Sequence, residues 1–387
     1  MGKIVAAMGT VHAPQLFTYP PTEDHKQLDA DIAAMRELGR SLEEAKPDLA
    51  IVIGSDHLET FFLSSAPTFA IVGGQKSHAE FARRSYALPI HPFAETLMKQ
   101  LVENDFDLTY SQDAVLGHAF AAVYEWVIEK QPIPVVPLFV NTYLPPLPSA
   151  RRCAQLGAAI RRIIDTTDLK VAIIASGGMS HYPGTWKYPQ PAYDFDSWAI
   201  AHMERGSFDP LIALTNSQLD QVGNTEFLPW IVLFGALGSE RGELLTYQPT
   251  WHHGHAVMRF LPAGGKKPTT PEPGPTWNFG ENTGYEFYRH PDPAVYPLNK
   301  VLFDLRFDAA LRRRLFEDTP GLAAQYGLTP AQAKALETMK DESIDMVRSL
   351  KPHPVVEEGA HPLGFLMSLI VVQAEQRRMR QEAQARN

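Results

Sequence analysis

Val171–Gly184 reads VAIIASGGMSHYPG, and the fold turns on how this stretch is read. Val171–Ala175 is apolar throughout, and Gly177, Gly178 and then His181 follow it. An unbroken apolar run of strand length suits a strand buried on both faces of a mainly parallel sheet, because a half-exposed strand would alternate. Glycines at its end allow a sharp exit and close backbone approach. Working outward, the pattern recurs at Lys3–Met8 (KIVAAM), at Leu49–Ile53 (LAIVI) before Gly54, and at Val135–Val140 (VVPLFV). Helix candidates lie between: Leu28–Ala45, Pro92–Asn104, Phe120–Lys130 and Ala150–Ile164. This alternation predicts an α/β domain with a mainly parallel central sheet flanked by helices.

The chain has 387 residues, more than the roughly 250–300 at which a single core stops growing, so two domains are expected. Pro262–Pro275 (PAGGKKPTTPEPGP) cannot hold a helix or a central strand. We expect a catalytic domain over 1–262, a Pro/Gly-rich linker over 263–297 and a small all-α domain over 298–387. In the last, Asp308 can cap AALRRRLF, and Thr319-Pro320 and Thr329-Pro330 each offer a cap residue before a proline at the first helical position. Leu363–Gln373 reads as an apolar helix with a charged tail after it.

Hydrophobic residues make up 44% and charged residues 20%, an ordinary globular balance. The formal net charge of −9 argues against bulk electrostatic binding of nucleic acid or an anionic membrane. A single cysteine, Cys153, excludes an internal disulfide and a cysteine-based metal cluster. The opening MGKIVAAMGTVH reads as a first strand and is too short for a signal peptide. No segment approaches the roughly 18 apolar residues of a membrane span. A cytoplasmic location is therefore expected.

Three of the 14 histidines share one context. His12 follows the first strand (MGTVHAP), His57 the second (VIGSDHLE) and His181 a later one (IIASGGMSHYPG). Ligands of open α/β sheets bind at the carboxyl ends of the strands, so these histidines are expected at one sheet edge. Neutral imidazole is the commonest protein ligand for Fe, Zn, Cu and Ni. A lone histidine there is ordinarily a hydrogen-bonded loop residue; three equivalent placements favour a site. A divalent site usually also takes a carboxylate. Asp56 and Glu59 flank His57, and Glu226 lies in GNTEFLPWIVLFGAL, where Asn224 or Thr225 can cap an apolar helix. Glu226 can equally be a favourable acid at a helix start. His118 opens a helix in AVLGHAF. In PTWHHGHAVMRF, alternation puts His253 and His255 on one strand face and His252 on the other, as candidate pocket-lining donors.

These residues carry a resemblance. The chain resembles the class III, type II extradiol ring-cleavage dioxygenases, the group of protocatechuate 4,5-dioxygenase and gallate dioxygenase. Residues 1–262 resemble the catalytic β subunit. The region from about 298 to 375, through LFDLRFDAALRRRLFED, AQYGLTP and GAHPLGFL, resembles the small helical α subunit fused onto the same chain. The resemblance implies that His12, His57 and Glu226 bind one Fe(II), that His181 is the acid/base residue and that His118 assists within the pocket. It implies opening of a dihydroxylated aromatic or hydroxypyridine-type ring with insertion of both atoms of O2. Mn(II) is a possible substitute for Fe(II), and no organic cofactor is implied. Family habit suggests a homodimer, with the helical domain covering the active-site mouth.

Phe17, Trp186 and Trp251 are candidate pocket walls, and His361 in GAHPLGFL could approach the pocket. The HHGH segment departs from the small-residue turn of the best-known members, so His252 and His253 suggest a ring substituent other than a benzoate carboxylate. Substituted gallates, hydroxypyridines and catechols with another side chain stay open as substrates. The main competing reading is a Zn-dependent hydrolase on a related α/β scaffold, since two histidines, a carboxylate and a water also describe catalytic zinc. A non-catalytic binding module is disfavoured because every expected site position is filled.

Overall fold

The structure, a computed structural model, describes residues 2–75, 77–129, 133–262, 267–281, 284–341 and 351–386. Two compact units divide the chain. Unit 1 comprises Met1–Phe61, Ser65–His181 and Pro191–Glu286, and unit 2 comprises Phe62–Ser64, Tyr182–Gln190 and Phe287–Asn387.

Unit 1 is built on strands β1 (Lys3–Thr10), β2 (Leu49–Gly54), β3 (Phe69–Val72), β4 (Ser77–Phe81), β5 (Arg84–Leu88), β6 (Thr109–Ser111), β7 (Val115–Leu116), β8 (Val135–Val140), β9 (Lys170–Ser176), β10 (Glu243–Pro249) and β11 (Gly254–Leu261). The main sheet has the order β10-β11-β1-β9-β2-β8-β3-β6. Its centre, β1-β9-β2-β8, is parallel, while β11 joins β1 and β3 joins β8 antiparallel. The expected α/β architecture is therefore present, and the unbroken apolar runs have their expected cause. Ile51, Ile53, Ile173 and Ala175 face one core, with helices Phe93–Glu103, Ala150–Asp165 and Leu228–Leu237. Ala50, Val52, Ala172 and Ile174 face the other, with helices His25–Ala45 and His118–Val123. Both faces of each central strand are dry, so alternation never appears.

Helices Ala150–Asp165 and Leu228–Leu237 touch backbone to backbone. A Cβ on Gly157 would lie 1.9 Å from the Val232 carbonyl oxygen, and one on Gly235 would lie 2.0 Å from that of Ala154. Each helix thus spends a glycine where the other's carbonyl passes. Gly157→Ala is expected to cost about 3 kcal/mol, the upper end of overpacking penalties. The measurement is the urea midpoint, which should fall at unchanged m-value; an unmoved midpoint would contradict the close approach.

Several sequence expectations need correction. The helix at His118 turns into a π-helix over Tyr124–Ile128, and Lys130, its expected end, lies outside the described residues. Neither Asn224 nor Thr225 caps through its side chain; Thr225–Phe227 is a 3₁₀ turn leading into Leu228–Leu237. Asp318, and not Thr319, caps Thr319–Tyr326, accepting from the Gly321 N–H; Thr319 is already the first helical residue. Asp308 and Thr329 cap as expected, Thr329 within a capping box. Part of the stretch expected as linker is bonded into unit 1. Glu204 accepts from Thr269 N–H at 2.9 Å and Thr270 N–H at 2.9 Å, and Trp277, Phe279 and Tyr285 pack on the first core. Residues 263–266 and 282–283 lie outside the described residues.

Unit 2 is helical. Its core gathers Leu298, Leu302, Leu305, Leu336, Phe365 and Leu369 from helices Tyr296–Phe307, Pro330–Glu337 and Pro362–Arg386, among others. It also takes in two early segments of the chain. Phe62 stacks on Phe303 at 4.4 Å, and Gly184, at φ +79, lies where a Cβ would strike the Pro362 carbonyl at 2.0 Å.

Candidate metal centre and active site

The parallel strands β1, β2, β8 and β9 all end at the same sheet edge, and the residues just beyond them are His12, His57, Tyr143 and His181. Glu226 arrives there from the 3₁₀ turn. All five are buried, with Glu226 at 0% exposure. Glu226 Oε1 lies 2.6 Å from His57 Nε2, and Oε2 lies 3.2 Å from His12 Nε2 and 3.7 Å from His181 Nε2. The Gly178 N–H donates to Oε2 at 2.9 Å, and the Ser55 hydroxyl to Oε1 at 3.3 Å. Burial by itself would raise this carboxyl. The imidazoles of His12, His57 and His181 outweigh it and hold the group well below the usual carboxylate range.

The tautomer of His12 follows from its neighbours. Ser176 spends its hydroxyl hydrogen on the Ala119 carbonyl at 2.6 Å, so it can only accept from His12 Nδ1–H at 3.0 Å. His12 Nε2 then carries a lone pair, makes no hydrogen bond among the described residues, and faces a carboxylate oxygen. Two acceptors facing each other in a dry interior repel unless a cation lies with them. A divalent ion therefore fits these donors. His12, His57 and His118 further bring one ligand atom each to within 4.8 Å of one another. Burial pulls the His57 imidazole down to about 4, with His118 adding to the effect.

His181 is held differently. Its Nδ1–H donates to the Met179 carbonyl at 2.9 Å, and its Nε2 accepts from the Tyr143 hydroxyl at 3.1 Å. Burial pulls it down to about 4 against the opposing pull of Glu226, so the ring is neutral at pH 7. His253 stacks on it with centroids 3.8 Å apart and planes at 14°. The approach requires Gly178, whose Cβ would lie 2.1 Å from His253 Nε2. Asp196 accepts from the Ser180 N–H at 2.9 Å and anchors the loop; burial pushes its carboxyl up to about 7.

The HHGH residues split three ways. His253 joins His181. His252 Nε2 lies 3.2 Å from Glu23, which also accepts from Trp251 Nε1 at 2.9 Å. His255 Nδ1 donates to Asp31 at 2.7 Å. Phe17 sits between Phe81 and Trp126, at 5.2 and 4.5 Å, and the Phe81 ring is 4.9 Å from that of His118. Trp186 and His361 belong to unit 2, where they pack 5.8 Å from Phe287 and 5.9 Å from Tyr288. Asp56 is no ligand candidate here: its carboxylate accepts from the N–H groups of Glu59, Thr60 and Phe61 and shapes the loop after β2.

The sequence reading missed Tyr143, Ser55, Ser176, Glu23, Asp31 and Asp196. Tyr143 carried a usable signal, since it follows Val135–Val140 as His12 follows Lys3–Thr10.

The chain is similar in sequence to known proteins. Residues 6–259 match the family described as "Catalytic LigB subunit of aromatic ring-opening dioxygenase". The chain is 31% identical over 196 residues to a 2,3-dihydroxyphenylpropionate/2,3-dihydroxicinnamic acid 1,2-dioxygenase of Comamonas testosteroni, covering 48% of this chain and 60% of that protein. It is 30% identical over 165 residues to the protein of that name from Klebsiella pneumoniae, covering 40% and 52%. The chain thus spans between half and three-fifths of the length of these curated relatives. Among solved structures, an uncharacterized protein of Escherichia coli K12 aligns with TM-score 0.47 and 15% identity, over 66% of this chain and 99% of that one.

Proposed function

The chain belongs to the family of the catalytic LigB subunit of aromatic ring-opening dioxygenases, and on that premise we propose that it is an Fe(II)-dependent extradiol dioxygenase. The observation that carries the proposal is the unshared pair of His12 Nε2 facing the Glu226 carboxylate, in a buried cluster at the carboxyl ends of parallel strands. In this reading His12, His57 and Glu226 hold the ion, with Mn(II) as a possible substitute. The ion would supply a common site for a catecholic substrate and O2, polarising both.

The protein's own groups do the rest. His181, neutral and presented by Met179 and Tyr143, takes the proton of a substrate hydroxyl at Nε2 and returns it later. Gly178 and Ser55 hold the Glu226 carboxylate in register. His253 backs the His181 ring, and His118 lines the cluster beside His57, with ring centroids 4.0 Å apart. The names of the relatives point to catechols bearing a three-carbon acid side chain as the first substrates to try. This fits an HHGH segment already expected to meet something other than a benzoate carboxylate. The proposal includes a service role at the pocket for Phe17, Trp251 and His252. It also includes a homodimer and a cytoplasmic location. Among the described residues, no helix is long and apolar enough to cross a membrane.

The test is elemental analysis of anaerobically purified protein, with oxygen uptake recorded on 2,3-dihydroxyphenylpropionate, protocatechuate, gallate and dihydroxypyridines. Stoichiometric iron with O2 consumed and a new ring-opened chromophore is the expected result. Tightly bound zinc and no uptake on any of these would sink the proposal and return the hydrolase reading, which family membership does not favour.

A further inference from the structure

We propose that Asp196 is a positioning residue for the reaction: one buried carboxyl that fixes the acid/base residue His181 and the His253 ring behind it in a single register. The inference deepens the ring-opening reading above and rests on His181 being its acid/base residue.

Asp196 stands in the first turn of helix Tyr193–Arg205, at 0% exposure. Its carboxyl reaches two distant segments. Oδ1 accepts from the N–H of Ser180, the residue before His181, at 2.9 Å, and Oδ2 accepts from the Tyr247 hydroxyl on β10 at 2.8 Å. A third segment crosses between them at Gly254, where a Cβ would lie 2.0 Å from Asp196 Oδ2 and 3.0 Å from the Tyr247 hydroxyl oxygen. Gly254 is not among the glycines with positive φ. The space the carboxyl occupies therefore demands the glycine, and its backbone conformation does not. A helix-start acid with no further task would serve the N–H groups of its own first turn. The partners here are 16 and 51 positions away.

The segments that Asp196 clamps carry the stacked rings. Gly254 N–H donates to the Ser180 carbonyl at 3.0 Å, and Met179 N–H donates to the Gly254 carbonyl at 3.0 Å. One step further along this ladder, His181 and His253 face each other across an antiparallel bridge. Directly opposed residues present their side chains side by side, so the two rings stack. Ser180 carries the hold onward. Its hydroxyl donates to the Val222 carbonyl and accepts from Ala192 N–H at 2.7 Å, while His181 N–H donates to the Gly223 carbonyl at 2.8 Å. The residue that Asp196 grips thus ties His181 to the segment leading into Glu226.

The role is carried by hydrogen-bond geometry and not by charge. Burial pushes the Asp196 carboxyl up to about 7, and burial together with Asp196 pushes the Tyr247 phenol up, so Tyr247 keeps its hydrogen. A phenol both donates and accepts. Ionised, Asp196 accepts from both partners; protonated, it accepts from Ser180 N–H and donates to the Tyr247 oxygen. Asparagine reproduces the second pattern.

The test is steady-state oxygen uptake by the iron-loaded full-length chain on the fastest substrate of the panel above. Asp196→Ala should lower kcat about 10–100-fold with KM little changed, the cost of a misplaced catalytic group. Asp196→Asn should recover most of that loss. In a His181→Gln background, adding Asp196→Ala should cost nothing further, because Asp196 acts through that ring. Co(II) titrated into the metal-free chain against a chelator should bind Asp196→Ala as it binds wild type, since the candidate ligands are untouched. Tyr247→Phe removes one of the two bonds, should lower kcat in the same direction, and decides the matter if the alanine variant does not fold. An unchanged kcat in folded Asp196→Ala, or in Tyr247→Phe where alanine fails to fold, would overturn the proposal. So would an additive double variant, an asparagine as slow as alanine, or Co(II) affinity that falls along with kcat. A wild-type chain with no turnover would remove the ring-opening reading and this inference with it, whereas turnover in wild type beside an unaffected Asp196→Ala would remove only this inference.

Discussion

Glu226→Ala should yield a folded chain that no longer retains a divalent ion and shows only background oxygen uptake. The side chain is wholly buried and lies within 4 Å of His12, His57 and His181. Taking it away leaves imidazoles with no charge to neutralise a dication. Ion affinity should fall by more than the roughly 100-fold seen when a merely supporting partner is lost. The fold should tolerate the change, because the substitution removes a buried charge and leaves none unpaired. Glu226→Gln supplies the control, since its amide oxygen can still accept from the Gly178 N–H while its NH2 group faces the Ser55 hydroxyl and the charge is gone. Stoichiometric metal in the alanine variant, measured by elemental analysis, would take Glu226 out of the ligand set.

His181→Gln should do the opposite: keep the ion and substrate binding and lose turnover. General acid–base catalysis contributes typically 10²–10⁴-fold, so kcat should drop by that factor, about 3–5 kcal/mol of barrier, with KM little changed. The pH profile gives a second reading. Burial holds the imidazole near 4, below its ordinary 6.5. The proton-accepting form is therefore present throughout the neutral range and is lost only as pH falls toward 4. The acid limb of kcat/KM assigned to this group should lie well below 6.5 in the wild type and vanish in the variant. Near-normal turnover would end the acid/base assignment.

How much of this could be read from the chain depended on where each signal lives. The central strands were legible because burial on both faces leaves continuous apolar runs, and the histidines after them were legible because strand ends share one edge. The small sheet β5-β4-β7 was not, since its strands are short and half-exposed, as in Arg84–Leu88. Glu226 was found through the apolar helix behind it, though the cap expected of Asn224 or Thr225 is absent. What could not be read were pairings across long separations: Ser176 with His12, Glu59 with His118, Asp31 with His255. Each partner looks ordinary in its own stretch, and only the fold gives it a task. The division of the HHGH segment could not be read for the same reason: His252 and His255 meet carboxylates some 220–230 positions earlier, and His253 meets His181.

Unit 2 has a consequence for how the protein comes into being. Its members Phe62–Ser64 and Tyr182–Gln190 are synthesised long before Phe287–Asn387. A nascent chain emerges at about 5–20 residues per second, N-terminal parts first. Phe62 therefore waits roughly 12–48 s for Phe303, and Tyr182 roughly 5–21 s for Phe287, their later ring partners. Closing such loops is entropically slow, so the helical unit is the last part of the molecule to mature. A ribosome that stops before Phe287 leaves those two aromatic side chains as sticky ends, ready for a chaperone or for a neighbouring chain.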